Sequence, residues 1–422
     1  MLETIHGVLW GMPAFLAFSA FGLYFSCKSG FRQLTGVKRI LRSCAAELGR
    51  REGGITAFSS MATALGGTVG IGSTAGVALA LAAGGPGSIF WMWVTGLLGC
   101  MLKYAEVFVA VRYREHKNGI ACGGAMYALK KSGRPNAAKL FCALCVAAAF
   151  FTGGVTQSGE TISAAARSGV SPFAAGAVFA LCVLFAVCGG RKAIARISAV
   201  AVPAAGFVYL LAAAGIICTR LGALPGAFAQ IFGAAFGLKQ VSGGISGAAF
   251  AAAVRTGVAR GVFSTECGMG SSAIVHASNE TATPETQGDW GILEVYADIF
   301  VFSTLTALAL LVTGAGSGDV MFRLVYGRAG EIVYICLTAV FGFAAIISWC
   351  FYAESALVFA FKNPKKALYA FRSCLAACVF AGAYAVSEDV WYAADIINLC
   401  LSAPNMYLLF IKRKEICSCL KT

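Results

Sequence analysis

Between Gly66 and Gly76 the chain reads Gly-Gly-Thr-Val-Gly-Ile-Gly-Ser-Thr-Ala-Gly, inside an apolar stretch long enough to cross a bilayer and free of lysine and proline. Each glycine costs a helix interior about 1 kcal/mol relative to alanine, so a run this dense predicts an interrupted helix. In hydrocarbon, backbone groups freed by unwinding must find partners in the protein or line a wet cavity. A broken helix at membrane depth is most useful where bare amides and carbonyls hold a solute or ion. That points to a carrier.

Composition places the chain in the membrane. Of 422 residues, 59% are hydrophobic and 12% charged, with a mean hydropathy of +0.77; soluble domains carry about 25% charged residues. At about 20 residues per crossing, the sequence predicts roughly eleven helices, over 5–26, 57–82, 87–112, 138–165, 171–188, 194–218, 243–275, 289–313, 331–358, 366–386 and 389–411. Lys and Arg gather in the connections 28–51, 112–134, 191–196, 362–372 and 412–421, whereas the opposite side carries Arg167, Arg220, Lys239, Arg323 and Arg328. The positive-inside rule then sets the N-terminus outside and the C-terminus in the cytoplasm. Topology and the lipid bilayer account for the net charge of +14, because the basic residues are split among short loops, so nucleic acid is not called for.

A second interruption, Ser264-Thr-Glu-Cys-Gly-Met-Gly-Ser-Ser272, falls in the seventh segment. Each break opens a set of five helices, and an odd number makes the two sets inverted copies, as in secondary transporters with a midplane site. The expected organisation is an extra helix and basic loop (1–53), a first repeat (54–218) with its break at 66–76, an extracytoplasmic connection (219–242), a second repeat (243–411) with its break at 264–272, and a basic tail (412–422). The pattern alone leaves a second reading open. Gly66/Gly70 and Gly72/Gly76 also match small-xxx-small helix packing.

Other chemistry is thinly represented. Neither glycine run ends in the Gly-Lys-Ser/Thr that a phosphate loop needs. The 17 cysteines lie scattered in apolar helices as small core residues, with Cys417 and Cys419 as candidates for palmitoylation. His6, His116 and His276 fit no ligand spacing, so no transition metal, cofactor or catalytic constellation is expected. Glu3 and the long first apolar run do not read as a cleaved signal.

Several runs resemble the alanine or glycine:cation symporter family, also called sodium:alanine symporters. They are Gly67-Thr-Val-Gly-Ile-Gly72 with Ala75-Gly-Val-Ala78, Gly84-Gly-Pro-Gly87 with Phe90-Trp-Met-Trp93, Lys103-Tyr-Ala-Glu106, Gly123-Gly-Ala-Met-Tyr127, Arg260-Gly-Val-Phe-Ser264 with Glu266 and Gly268-Met-Gly-Ser271, Pro284 with Gln287-Gly288, Trp349, and Asp395, Asn398 and Pro404-Asn405. The resemblance implies an all-α membrane protein with a LeuT-like inverted five-plus-five repeat after one extra helix, in the cell membrane. It implies symport of a small neutral amino acid driven by Na⁺, with no obligate protein partner. By resemblance, Gly70, Gly72 and Ser73 face the substrate, and Gln157 and Trp349 complete the pocket. Exposed amides at a half-helix N-terminus suit a carboxylate, and free carbonyls an ammonium or Na⁺.

The chain departs from the family pattern at three places. Ser73 stands where asparagine is usual; losing one hydrogen bond to a charged group costs roughly 1.5–3 kcal/mol, on the order of ten- to a hundredfold in affinity. Ala344 and Ala345 stand where hydroxyls are usual at a sodium site, leaving Thr68, Ser348, Thr304 and Thr306 as candidate cation-binding oxygens. Glu160 stands where a neutral residue is usual. An intramembrane acid is a functional candidate, so Glu160 is a candidate proton carrier that puts H⁺ beside Na⁺ as coupling ion; a hydrogen-bonded structural acid is the alternative. The depleted cation site also leaves a passive channel or a non-transporting amino-acid sensor as the second reading.

Overall fold

The computed structural model describes residues 2–48, 54–117, 120–236, 245–385 and 387–420. The domain boundaries expected at 53 and 242 fall outside these residues. The chain is helical apart from an antiparallel hairpin, Glu115–Lys117 with Ile120–Cys122, that pairs Glu115 with Cys122. In chain order the helices used below are α1 (Thr4–Lys28), α2 (Val37–Leu48), α3 (Ala57–Val69), α4 (Ala75–Gly84), α5 (Gly87–Arg112), α6 (Pro135–Arg167), α7 (Pro172–Cys188), α8 (Gly190–Cys218), α9 (Leu224–Ala235), α10 (Ile245–Thr265), α11 (Ala273–His276), α12 (Pro284–Thr313), α13 (Gly318–Ala360), α14 (Lys365–Ala381) and α15 (Glu388–Cys419).

Among the described residues, seven helices are long and apolar enough to cross a membrane: α1, α5, α6, α8, α12, α13 and α15. The number falls below the expected eleven for a physical reason. The first glycine break cuts an apolar stretch into the short helices α3 and α4; α10, at 21 residues, is long enough but carries Arg255 and Arg260; and α7 and α14, at 17 residues each, are shorter than the roughly 20 residues one crossing takes.

Some helices were not foreseen. α2 arises inside the basic loop because Ile40, Cys44 and Glu47 share a buried face while Lys38, Arg39 and Arg42 turn outward. α9 folds within the stretch expected to connect the two halves. α13 begins at Gly318, well before 331, and turns sharply at Gly327, whose φ of +65° suits glycine. The last helix runs on to Cys419, through most of the basic tail, because its Lys and Arg have good helix propensity.

α5 lies at the centre of the bundle, flanked by α10 and α12, and from Gly99 to Val111 every residue is buried. Two apolar clusters form the core. One joins α5, α6 and the inner part of α13; the other joins α8, α9 and the end of α12. α3 contributes to both, α4 to the second, and α10 and α11 to the first.

Candidate functional site

The first break is short. A capping box at Thr56 and Ser59 starts α3; the helix stops at Val69, where Gly70 leaves helical geometry with φ −5° and ψ −138°. The freed amide of Ile71 donates to Oε1 of Gln157 at 3.1 Å. A Cβ on Gly70 would stand 2.7 Å from that oxygen and 3.0 Å from Cβ of Ala345, so only glycine allows α3, α6 and α13 to close here. Gly72 turns the other way, with its Cβ direction 3.4 Å from Cα of Ser264.

The second break is longer and more twisted. After α10 ends at Thr265, Glu266, Gly268 and Gly270 take φ of +53°, +84° and +72° before α11 resumes at Ala273. Asn405 of α15 holds it, donating from Nδ2 to the Gly268 carbonyl at 2.9 Å. The Asn405 amide also fills the space a side chain on Gly270 would need.

One acid ties the two breaks together. Asp298 of α12 accepts from Ser73 Oγ in the first break, and Ser264 Oγ at the end of α10 lies 2.9 and 2.8 Å from its two carboxyl oxygens. The two serine oxygens are 3.3 Å apart. All three side chains are fully buried, and Asp298 has no ion-pair partner among the described residues. Buried charges are normally paired or hold a cation. A carboxylate and two hydroxyls form an oxygen set suited to a hard monovalent cation or a proton.

Asp298 was not among the sequence candidates. Its signal was an acid within the apolar run Tyr-Ala-Asp-Ile-Phe-Val-Phe. Local winding marks it too: Tyr296–Ser303 is π-helical, and so is Ala149–Thr156 immediately before Gln157. Such bulges re-aim side chains and are frequent at functional sites.

The other candidates divide. Gly70, Gly72, Ser73 and Gln157 come together at the breaks. Trp349 is one turn beyond Ala345 on α13, buried against Gly153, itself one turn before Gln157, and edge-on to Tyr352. Thr68 Oγ1 donates to the Leu65 carbonyl at 3.2 Å, and Ser348 Oγ to the carbonyls of Thr63 and Ala344 at 2.7 and 2.8 Å; both lie on the α3–α13 seam. Thr304 and Thr306 do not join them. Thr304 bonds Trp93 Nε1 and the Ile299 carbonyl, and Thr306 bonds Tyr209 and the Phe302 carbonyl.

Glu160 accepts from Trp391 Nε1 at 3.2 Å, beside an open cavity of about 680 Å³ lined by His6, Arg255, Arg260, Trp391 and Tyr392. At the floor of that cavity Arg260 pairs with Asp395, which also bonds His6 at 2.9 Å. Glu354 pairs with Arg372 at 2.6 Å. No cluster of His, Cys, Asp or Glu could hold a transition metal among the described residues.

Comparison with known proteins matches the sequence pattern of the Sodium:alanine symporter family over residues 1–422. An uncharacterized transporter of Haemophilus influenzae is 33% identical, over 99% of this chain and 94% of the relative. The sodium/alanine symporter AgcS of Methanococcus maripaludis is 32% identical, over 97% and 94%. Among solved structures, the crystal structure of MhsT in complex with L-phenylalanine superposes with a TM-score of 0.63 at 16% identity, covering 86% of this chain and 90% of that one; the LeuT-type fold is shared.

Proposed function

The chain belongs to the sodium:alanine symporter family, a family of multi-pass membrane transporters, and we propose that it couples uptake of a small neutral amino acid to entry of a cation by alternating access. The observation that carries this reading is Asp298 bonded at once to Ser73 of the first break and Ser264 of the second. The amino acid occupies the backbone of Gly70, Gly72 and Ser73, with Gln157 at one end and Trp349 as the wall that limits side-chain size. We assign the cation, Na⁺ first and H⁺ second, to Asp298, Ser73 and Ser264. The hydroxyls of Thr68, Ser348, Thr304 and Thr306 are each engaged with a helix carbonyl and serve it less well.

Because both ligands use the first break, each stabilises the other's bound state by the same free energy. Inverted five-helix repeats around this site, in about eleven crossings with the N-terminus outside the cell membrane, complete the proposal. The name of the archaeal relative makes alanine the first substrate to try. The test is uptake into proteoliposomes across a panel of small amino acids, with Na⁺ and H⁺ gradients imposed separately. Uphill accumulation with one gradient is expected; flux that only follows the solute's own gradient would overturn the symport reading.

A further inference from the structure

Beside the second break lies a second polar cluster that the proposed site does not use. Lys103 and Glu106 of α5, Glu266 in the break, His276 of α11 and Glu294 of α12 are all buried to 98% or more. Lys103 Nζ donates to Ser272 Oγ at 2.6 Å and stands 3.4 Å from Glu294. Glu294 also bonds His276 Nε2 at 2.8 Å, and the other ring nitrogen meets Gln287 at 2.6 Å. Three carboxyl groups therefore face one ammonium and one imidazole. Even with His276 charged, one carboxyl has no positive partner, and an uncompensated buried carboxylate is too costly to persist.

Glu294 contacts both Lys103 and His276, which leaves Glu106 and Glu266. Neither Glu106 oxygen has a hydrogen-bond partner among the described residues, and its carboxyl faces the backbone of Gly268 and Gly270 inside the second break. Glu266 instead reaches toward the first. Its Oε2 accepts from Ser271 Oγ at 2.5 Å, while Oε1 has no hydrogen-bond partner among the described residues. That oxygen and Tyr352 Oη, also unpartnered, converge on Gly67 of α3, 3.1 and 2.7 Å from where a Cβ would lie. Glu266 is also one of two non-glycine residues at positive φ among those described, a conformation that costs about 1 kcal/mol or more and tends to persist at switch and active sites.

We propose that Glu266 is a proton-binding site, distinct from the cation site at Asp298, at which a proton from solvent neutralises the carboxyl that joins the second break to the first. The titratable groups facing it are Lys103 and Glu106 from α5, Glu294 from α12, Tyr352 from α13 and Cys145 from α6, with Cys267 next to it in the chain and His276 one contact further, through Glu294. Protonated, Glu266 lets α3 pass without an unpaired charge between the broken helices. Ionised, it opposes that movement. The role in movement rests on the alternating-access reading; the protonation does not.

The two are therefore tested apart. Infrared difference spectra of the purified full-length protein between alkaline and acid buffer are expected to show a protonated-carboxyl C=O band that is missing in Glu266→Gln, shifted in Tyr352→Phe and retained in Glu160→Gln. A band unchanged in Glu266→Gln and in Tyr352→Phe overturns the proposal whether or not the protein transports alanine. Should Glu266→Gln not fold, Tyr352→Phe decides alone. Alanine counterflow with equal pH on both sides then reads the role in movement: the wild-type rate should change roughly tenfold per pH unit across the titration, and Glu266→Gln should be flat. A Glu266→Gln profile that follows the wild type overturns the role in movement.

Discussion

The two broken helices do the same thing to the backbone and opposite things to charge. The first break is spare and neutral: Gly70 to Thr74 carry no ionisable group, and Gln157, Ala345 and Ser264 press on glycines that leave them room. The second is crowded with ionisable groups, with Glu266 inside it, Lys103, Glu106 and Glu294 around it, and three residues at positive φ. Two broken helices of one chain thus need not share chemistry. A neutral unwound turn presents bare dipoles to a zwitterion, whereas a charged one changes its fit with ionic state. Asp298, bonded to both, is where the two meet.

That contrast can be broken at named positions. The largest effect is expected from Asp298→Ala, which removes the carboxyl bonded to both breaks and leaves two buried hydroxyls without it. Cation-driven uptake should fall by roughly a hundredfold or more, the loss of two hydrogen bonds to a charged group, measured as initial rates in proteoliposomes. Gly70→Ala comes next. Its methyl would overlap Gln157 Oε1, so substrate affinity should fall sharply while the protein still folds, as followed by scintillation proximity binding and size-exclusion profile. Gln157→Ala removes the acceptor of the Ile71 amide and should weaken affinity about three- to tenfold, the size of one ordinary hydrogen bond, in the same binding assay. Glu160→Gln should change least, below about threefold in uptake rate, because a glutamine Oε1 still accepts from Trp391. A large effect there would move proton coupling away from the breaks and toward the vestibule.

Much of this was legible in the sequence because the determinants are local. A dense glycine run weakens a helix wherever it falls, so both breaks could be proposed from residue order, with close helix packing as the competing reading. The long helices followed from apolar length. What escaped detection depends on contacts. Asp298 is an isolated acid in an apolar run, and nothing in its neighbours reveals that two serines from distant segments converge on it. Thr304 and Thr306 stood out instead as candidate cation-binding oxygens on the same helix, yet they bond Trp93 and Tyr209. α2 and α9 were missed for a different reason: neither is apolar enough over a full crossing length to stand out from its loop.

The central claim is that amino acid and cation are held by one shared unwound backbone. Calorimetric titration of the purified protein with alanine at rising Na⁺, and with Na⁺ at rising alanine, tests it most directly. The account expects each ligand to tighten the other by the same factor in the wild type, and that factor to collapse to one in Asp298→Ala. Alanine binding that ignores Na⁺ and H⁺ alike, or full mutual tightening without Asp298, would contradict it.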